Sequence, residues 1–304
     1  MPTRRVSLLS GLLLLIPTLS AALTFPLPPE GNDLVGEVRT IAAVYEDTLS
    51  DIARRNDLGF LEITTANPDV DPWLPGEGTK VVLPSRFILP PGPREGVVIN
   101  LAELRLYYYP ANRAEVITHP LGIGREGWST PTGKAKITDK KHLPSWRPPE
   151  SIRAEHAENG DPLPELVKPG PDNPLGDYAL YLSMPGYLLH GTNKPYGVGM
   201  RVSHGCIRLY PEDIESLFQQ LPVDTPVNII NEPYKAGWLN GELYVEAHPP
   251  LSEQLVEQGQ NHTPMVRAII KALKDTAIKP DWQAVTQAVK KQVGIPFPIP
   301  VTTQ

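Results

Sequence analysis

The pattern of apolar and polar positions divides the chain into unlike parts. Residues 8–16 are almost wholly apolar. Over 39–84 the pattern is short and mixed. Residues 38–44 read as a strand, and Thr48-Leu49-Ser50-Asp51-Ile52-Ala53 opens a helix. Leu49, Ile52 and Ala53 fall on one face of it, and Thr48 is an N-cap answered by Asp51 three residues on. A second helix over 60–66 closes at Asn67-Pro68, and a Pro-Gly turn leads to a strand over 80–83. This predicts a small α+β module between a proline- and glycine-rich tether (23–38) and a proline-rich linker (85–96). From Val97 the period changes to two. Residues 97–101 and 104–109 flank Ala102-Glu103 as a hairpin, and 115–120, 134–138, 178–182, 188–189 and 226–230 read as further strands. One short helix starts at Pro211, where proline suits a first turn.

The block 97–231 is therefore expected to be a mainly β domain, sandwich or barrel-like. Its tyrosine row, Tyr107 to Tyr109, is expected to serve sheet packing. Residues 139–177 break the pattern. They are proline-rich and lack an apolar period, which suits either a lid over a site or a surface insertion. Residues 232–304 hold a hairpin turning at Asn240-Gly241 and two amphipathic helices, over 264–273 and 282–293, before a proline-rich tail. They form a C-terminal α/β extension.

Charge and composition narrow the partners. Arg4 and Arg5, the apolar stretch and Ser20-Ala21-Ala22 together make a secretory signal peptide over 1–22. The apolar run is too short to span a bilayer comfortably, so no stable membrane insertion is expected after cleavage. Removing it takes away two positive charges and no negative one, carrying the formal charge from −6 to −8. That argues against nucleic acid or an anionic membrane surface as partner.

The chemistry concentrates between His190 and Leu209. This stretch holds the single cysteine of the chain, Cys206, with Ser203, His204 and Gly205 before it and Arg208 after it. A lone thiol serves packing, a metal or reactivity. As a nucleophile Cys206 has a base in His190 and N–H groups in the Ser203–Cys206 turn. As a zinc site the stretch lacks a second cysteine or an HExxH helix. As a structural cysteine it sits among oddly polar neighbours. Export shifts the balance toward catalysis, because a lone thiol in an oxidising compartment is a liability unless shielded or used.

A histidine, a variable run, then Ser203-His204-Gly205-Cys206-Ile207-Arg208 resembles the active-site signature of the L,D-transpeptidases. Thr130-Pro131-Thr132-Gly133 and the upstream strands add to the likeness. The resemblance implies Cys206 as nucleophile and His190 as base. It also implies that the Gly191 carbonyl orients the histidine, that Gly205 and Cys206 N–H groups near His204 hold the oxyanion, and that Ser203 and Arg208 shape the loop and bind donor peptide. It implies no cofactor and no metal.

The substrate implied is a peptidoglycan tetrapeptide stem, cleaved between a third-position diaminopimelate and D-alanine. The acyl group would go to a lysine of an outer-membrane lipoprotein, to a second stem, or to water as an L,D-carboxypeptidase. The implied place is the periplasm of a Gram-negative cell. Residues 39–84 resemble a LysM module, which implies glycan binding, through Asp47-Thr48-Leu49, Asn67-Pro68 and Leu74-Pro75-Gly76. The competing reading is a peptidoglycan-binding protein without catalysis.

Overall fold

The computed structural model describes residues 22–259, 261, 263–274 and 277–303. Apart from Ala22, the expected leader lies outside the described residues. The N-terminal part holds β1 (Leu23–Pro26), β2 (Leu34–Gly36), β3 (Arg39–Ala42), α1 (Leu49–Arg55), α2 (Phe60–Ala66), β4 (Lys80–Leu83) and β5 (Arg86–Ile88). Helix α1 starts where its cap lies: Thr48 Oγ1 accepts from the Asp51 N–H, and the Asp51 carboxylate accepts from the Thr48 N–H. Helix α2 stops at Asn67, whose side chain donates to Ile63 and Val82 carbonyls and accepts from the Val82 N–H. One amide thereby ties the helix end to β4, which pairs with β3.

The central part holds β6 (Gly96–Asn100), β7 (Arg105–Tyr109), β8 (Glu115–Pro120), β9 (Ile123–Gly124), β10 (Gly133–His142) and α3 (Glu150–Glu158). It continues through β11 (Tyr178–Leu182), β12 (Leu188–His190), β13 (Arg201–Ser203), β14 (Ile207–Arg208), α4 (Pro211–Gln220) and β15 (Pro226–Ile230). After these come β16 (Tyr234–Leu239), β17 (Glu242–Ala247), α5 (Ser252–Gln258), α6 (Thr263–Leu273), β18 (Ile278–Pro280), α7 (Trp282–Lys291), β19 (Phe297–Ile299) and β20 (Val301–Thr303).

A curled nine-stranded sheet organises the molecule, in the order β1-β8-β7-β6-β15-β10-β11-β12-β14. Most neighbours are antiparallel; β15 with β6 and β12 with β14 run parallel. One face buries Ile99, Leu106, Ile137, Leu180 and Leu189 against Ile214 and Leu217 of α4. On the other face Val98, Tyr107, Tyr109 and Val116 pack on Leu49, Ile52 and Leu83 of the N-terminal part. Both faces of β7 are thus covered, and its tyrosines pack in the sheet. Burying one large apolar side chain contributes roughly 1.5–3 kcal/mol, so these two layers dominate the stability of the sheet.

The N-terminal part is bonded to the sheet through charge. Arg105, fully buried in β7, makes two bonds to Glu62 at 2.7 and 2.9 Å and donates to the Asp57 carbonyl. Arg54 pairs with Glu212 of α4 at 2.8 Å, and Tyr210 donates to the Leu58 carbonyl. At the C-terminal side, buried Lys235 joins Glu103 at 2.6 Å and Glu246 at 2.8 Å.

Several segments differ from expectation. The 23–38 tether carries β1 and β2, and β1 forms the edge of the main sheet against β8. The 85–96 linker carries β5, paired with β2. Residues 139–142 extend β10, and α3 lies within 139–177. The proline-rich tail contributes β19 and β20, because β17 and β18 offer it open edges.

Candidate active site

Register sets the site. Strands β12 and β14 pair with Leu189 opposite Ile207 and His190 opposite Arg208. Leu189 and Ile207 point into the core. Alternation then sends His190 and Arg208 to the other face. Both line one cleft with Cys206, Ser203 and His204. Its volume is about 1240 Å³, room for a peptide. Its far wall comes from the 139–177 segment, through Trp146, Ile152, His156 and Leu166.

A tight turn presents Cys206. Gly205 has φ +103°, a conformation L side chains resist, and a Cβ there would meet Tyr187 at 3.2 Å. The Ser203 hydroxyl donates to the Cys206 carbonyl at 2.6 Å and accepts from the Gly205 N–H at 3.2 Å. Thr130 Oγ1 donates to the Gly205 carbonyl and accepts from the Gly124 N–H. Ser203 therefore spends its hydroxyl inside the turn and shapes the loop, one of the two roles expected of it. The Gly205 N–H, expected to face an oxyanion, is bonded to Ser203. The Cys206 N–H has no bond of this kind among the described residues.

His190 is buried, with Nδ1 2.6 Å from the Gly191 carbonyl oxygen. A carbonyl only accepts, so Nδ1 carries the proton and Nε2 is left as a base. Burial, then the positive charge of Arg208, pushes the imidazole down to about 3. Burial pushes the Cys206 thiol up, against a backbone hydrogen bond from Leu188 and the charge of Arg208. Thiol and imidazole thus rest as a neutral pair. Arg208 is depressed by burial, its Nε has no partner, and no carboxylate among the described residues pairs with it.

His204 is held from outside the signature. Its Nε2 lies 3.1 Å from Glu155 Oε2 of α3 and 3.2 Å from Arg125 Nη2, and its ring stands edge-on to Trp128. Arg125 also pairs with Glu155. Sequence reasoning missed these three residues and gave Thr130 no role of its own. They come from loops and a helix that carry no local pattern; only the Thr130-Pro131-Thr132-Gly133 likeness pointed near them.

Comparison with known proteins places this geometry. The probable L,D-transpeptidase YcfS of Escherichia coli is 43% identical over 283 residues, covering 91% of this chain and 88% of the relative. The chain belongs to the L,D-transpeptidase family. A family model for the YkuD L,D-transpeptidase catalytic domain matches residues 94–229, which contain both His190 and Cys206. The probable L,D-transpeptidase YbiS of E. coli is 42% identical, over 91% of this chain and 92% of that protein. The probable L,D-transpeptidase ErfK/SrfK of Salmonella typhimurium is 41% identical, over 94% of each. The protein is an L,D-transpeptidase, and the matches run through the N-terminal part and the C-terminal extension as well. Among the described residues of this L,D-transpeptidase, no helix is long and apolar enough to cross a membrane.

Proposed function

We propose that this L,D-transpeptidase works in the periplasm on peptidoglycan tetrapeptide stems, with Cys206 as nucleophile. The observation that carries the reading is the pair of adjacent strands that sets Cys206 and a tautomer-locked His190 on one cleft. His190 Nε2 takes the thiol proton as Cys206 Sγ attacks the carbonyl of the third stem residue. The Cys206 N–H steadies the developing oxyanion, and the protein surrounds it with fixed dipoles. The C–N bond to D-alanine breaks, and His190 returns the proton to the departing amine. A thioester on Cys206 remains. An acceptor amine then attacks the thioester, passes a proton to His190 and restores the thiol. Transfer to a lipoprotein lysine yields a tether to the wall, and transfer to a second stem yields a crosslink. Water as acceptor gives an L,D-carboxypeptidase reaction.

Arg208 supports a carboxylate-bearing donor. It is a half-buried cation with no protein counter-charge among the described residues, and a substrate carboxylate would complete it. Glu155, Arg125 and Trp128 hold His204 and with it the turn that presents the thiol. The N-terminal module is proposed to bind glycan. Exposed Tyr45, Trp73 and Leu74 lie on it, with Trp73 stacked on Phe60.

The test is mass spectrometry of the mature protein with disaccharide-tetrapeptides, beside Cys206→Ala. Released D-alanine with an acyl adduct on Cys206 is expected, and a lysine peptide added second reports the acceptor. Stems left intact by a folded, reduced protein would sink the reading and favour a binding protein without catalysis.

A further inference from the structure

A buried network of charge straddles the junction of the N-terminal part and the sheet. Its carboxylates are Asp57, Glu62, Glu212 and Asp213, and its cations are Arg54, Arg105 and His119. Arg54 is matched by Glu212 and Arg105 by Glu62. His119 of β8 serves the other two, 3.2 Å from Asp213 Oδ1 and 3.6 Å from Asp57 Oδ1, with all three residues buried. Two buried acids thus share one imidazole. A carboxylate buried without its counter-charge is strongly disfavoured. Burial and the charge of Asp57 accordingly push Asp213 up to about 7, and against its own burial the two acids raise His119 to about 10. Among the described residues the junction sets four carboxylates against three cations.

The other oxygen of Asp57, Oδ2, accepts from the backbone N–H of Leu23 at 2.8 Å. Leu23 follows Ser20-Ala21-Ala22, the small-residue cleavage motif. It opens β1, locked opposite Thr118, the residue before His119. We infer that cutting the leader after Ala22 turns the Leu23 nitrogen into an α-ammonium that pairs with Asp57, so that processing supplies a fourth cation. The inference rests on the reading of the chain as exported and cleaved. Hydrolysis of the Ala22–Leu23 bond by a leader peptidase puts the hydroxyl of water on the Ala22 carbonyl carbon and a hydrogen on the Leu23 nitrogen. The amine then takes a proton from solvent.

The nitrogen is already aimed at Asp57, so the bond is kept and becomes charge-assisted. An uncut chain presents a neutral amide there. The consequence reaches the active site, because the same junction carries α2. The Phe60 and Leu61 N–H groups at the start of α2 bond the Val198 and Gly199 carbonyls, in the loop between His190 and Cys206. That approach is so close that a Cβ on Gly199 would meet Phe60 N at 2.2 Å.

The test compares a chain starting at Leu23 with one carrying a single extra glycine before it, each with and without Asp57→Asn. The amine is followed by its rate of carbamylation against pH, and stability by Tm. Pairing raises the amine above its usual value of about 7.7–8.0. At pH 8 the Leu23 amine is then expected to react about fivefold slower than in the Asp57→Asn background, which corresponds to a shift of about one unit. The added glycine is expected to lower Tm by about 2–4 °C with Asp57 present and to change it little in the Asp57→Asn background. A raised folded pKa gives stability that is full below the usual value and fades as pH rises through the folded one, so the Tm gap should close above about pH 9. An amine with ordinary reactivity and a Tm indifferent to the glycine overturns the pairing and leaves the export reading intact. An exported protein whose intact mass places its start elsewhere overturns the inference through that reading instead.

Discussion

The neutral resting pair of Cys206 and His190 makes a sharp statement about pH. An imidazole with the ordinary value of about 6.5 would be only about 3% neutral at pH 5, and a reaction needing it as base would slow about 25-fold between pH 7 and 5. In this protein burial, aided by Arg208, pushes His190 down to about 3. Even a rise of one unit would leave about 90% of it neutral at pH 5. Acylation by a tetrapeptide donor, measured as kcat/KM from pH 4.5 to 8, should therefore vary by less than about twofold. The thiol adds no ionisation of its own in that range, since burial pushes it up. Arg208→Gln removes the second cause of the depression, so its acid limb should move upward while staying below that of a free imidazole. A wild-type profile that falls with a midpoint near 6.5 would refute the argument. It would mean that His190 is solvated in the working enzyme or that the reacting form is a thiolate–imidazolium pair.

Other perturbations test the surrounding structure. Arg105→Met strands buried Glu62 and should cost about 3–5 kcal/mol in urea unfolding; a loss under about 1 kcal/mol would show that the junction relaxes around the gap. Arg208→Gln should lower kcat/KM for donors with free carboxylates by roughly 10–100-fold, the value of a charged hydrogen bond, while donors amidated at those carboxylates lose much less. Glu155→Gln frees His204 on one side and should cut kcat by roughly tenfold with KM and Tm little changed. An equal change in KM would instead implicate α3 in donor binding.

Much of the local structure is written locally. The Thr48–Asp51 capping box, the Asn67-Pro68 stop and the alternating runs at 115–120, 178–182 and 226–230 carry their signals within a few residues, and elements stand there. The same holds for the turn that presents Cys206, since Ser203, Gly205 and Cys206 build it among themselves. Strands β1 and β5 escaped because three- or four-residue strands in proline-rich surroundings exist only through distant partners: β1 leans on β8, about ninety positions on. Glu155 and Arg125 escaped for the same reason. They meet His204 from 49 and 79 residues away, and nothing in their own neighbourhoods marks them. Helix α3 buries only Ile152, so it leaves little apolar period to read.

The place of β15 in the sheet bears on how this enzyme comes into being. Residues 226–230 are the last made of the nine strands, yet they sit in the middle, joining β6 on one side and β10 on the other. A chain made from its N-terminus first holds two groups of paired strands, β1-β8-β7-β6 and β10-β11-β12-β14, without the strand between them. The two halves gain the strand they share only when about three-quarters of the polypeptide has been made. Closing such distant pairings is slow. The central strand of the sheet is therefore the last of the nine to be made, after the turn that presents Cys206.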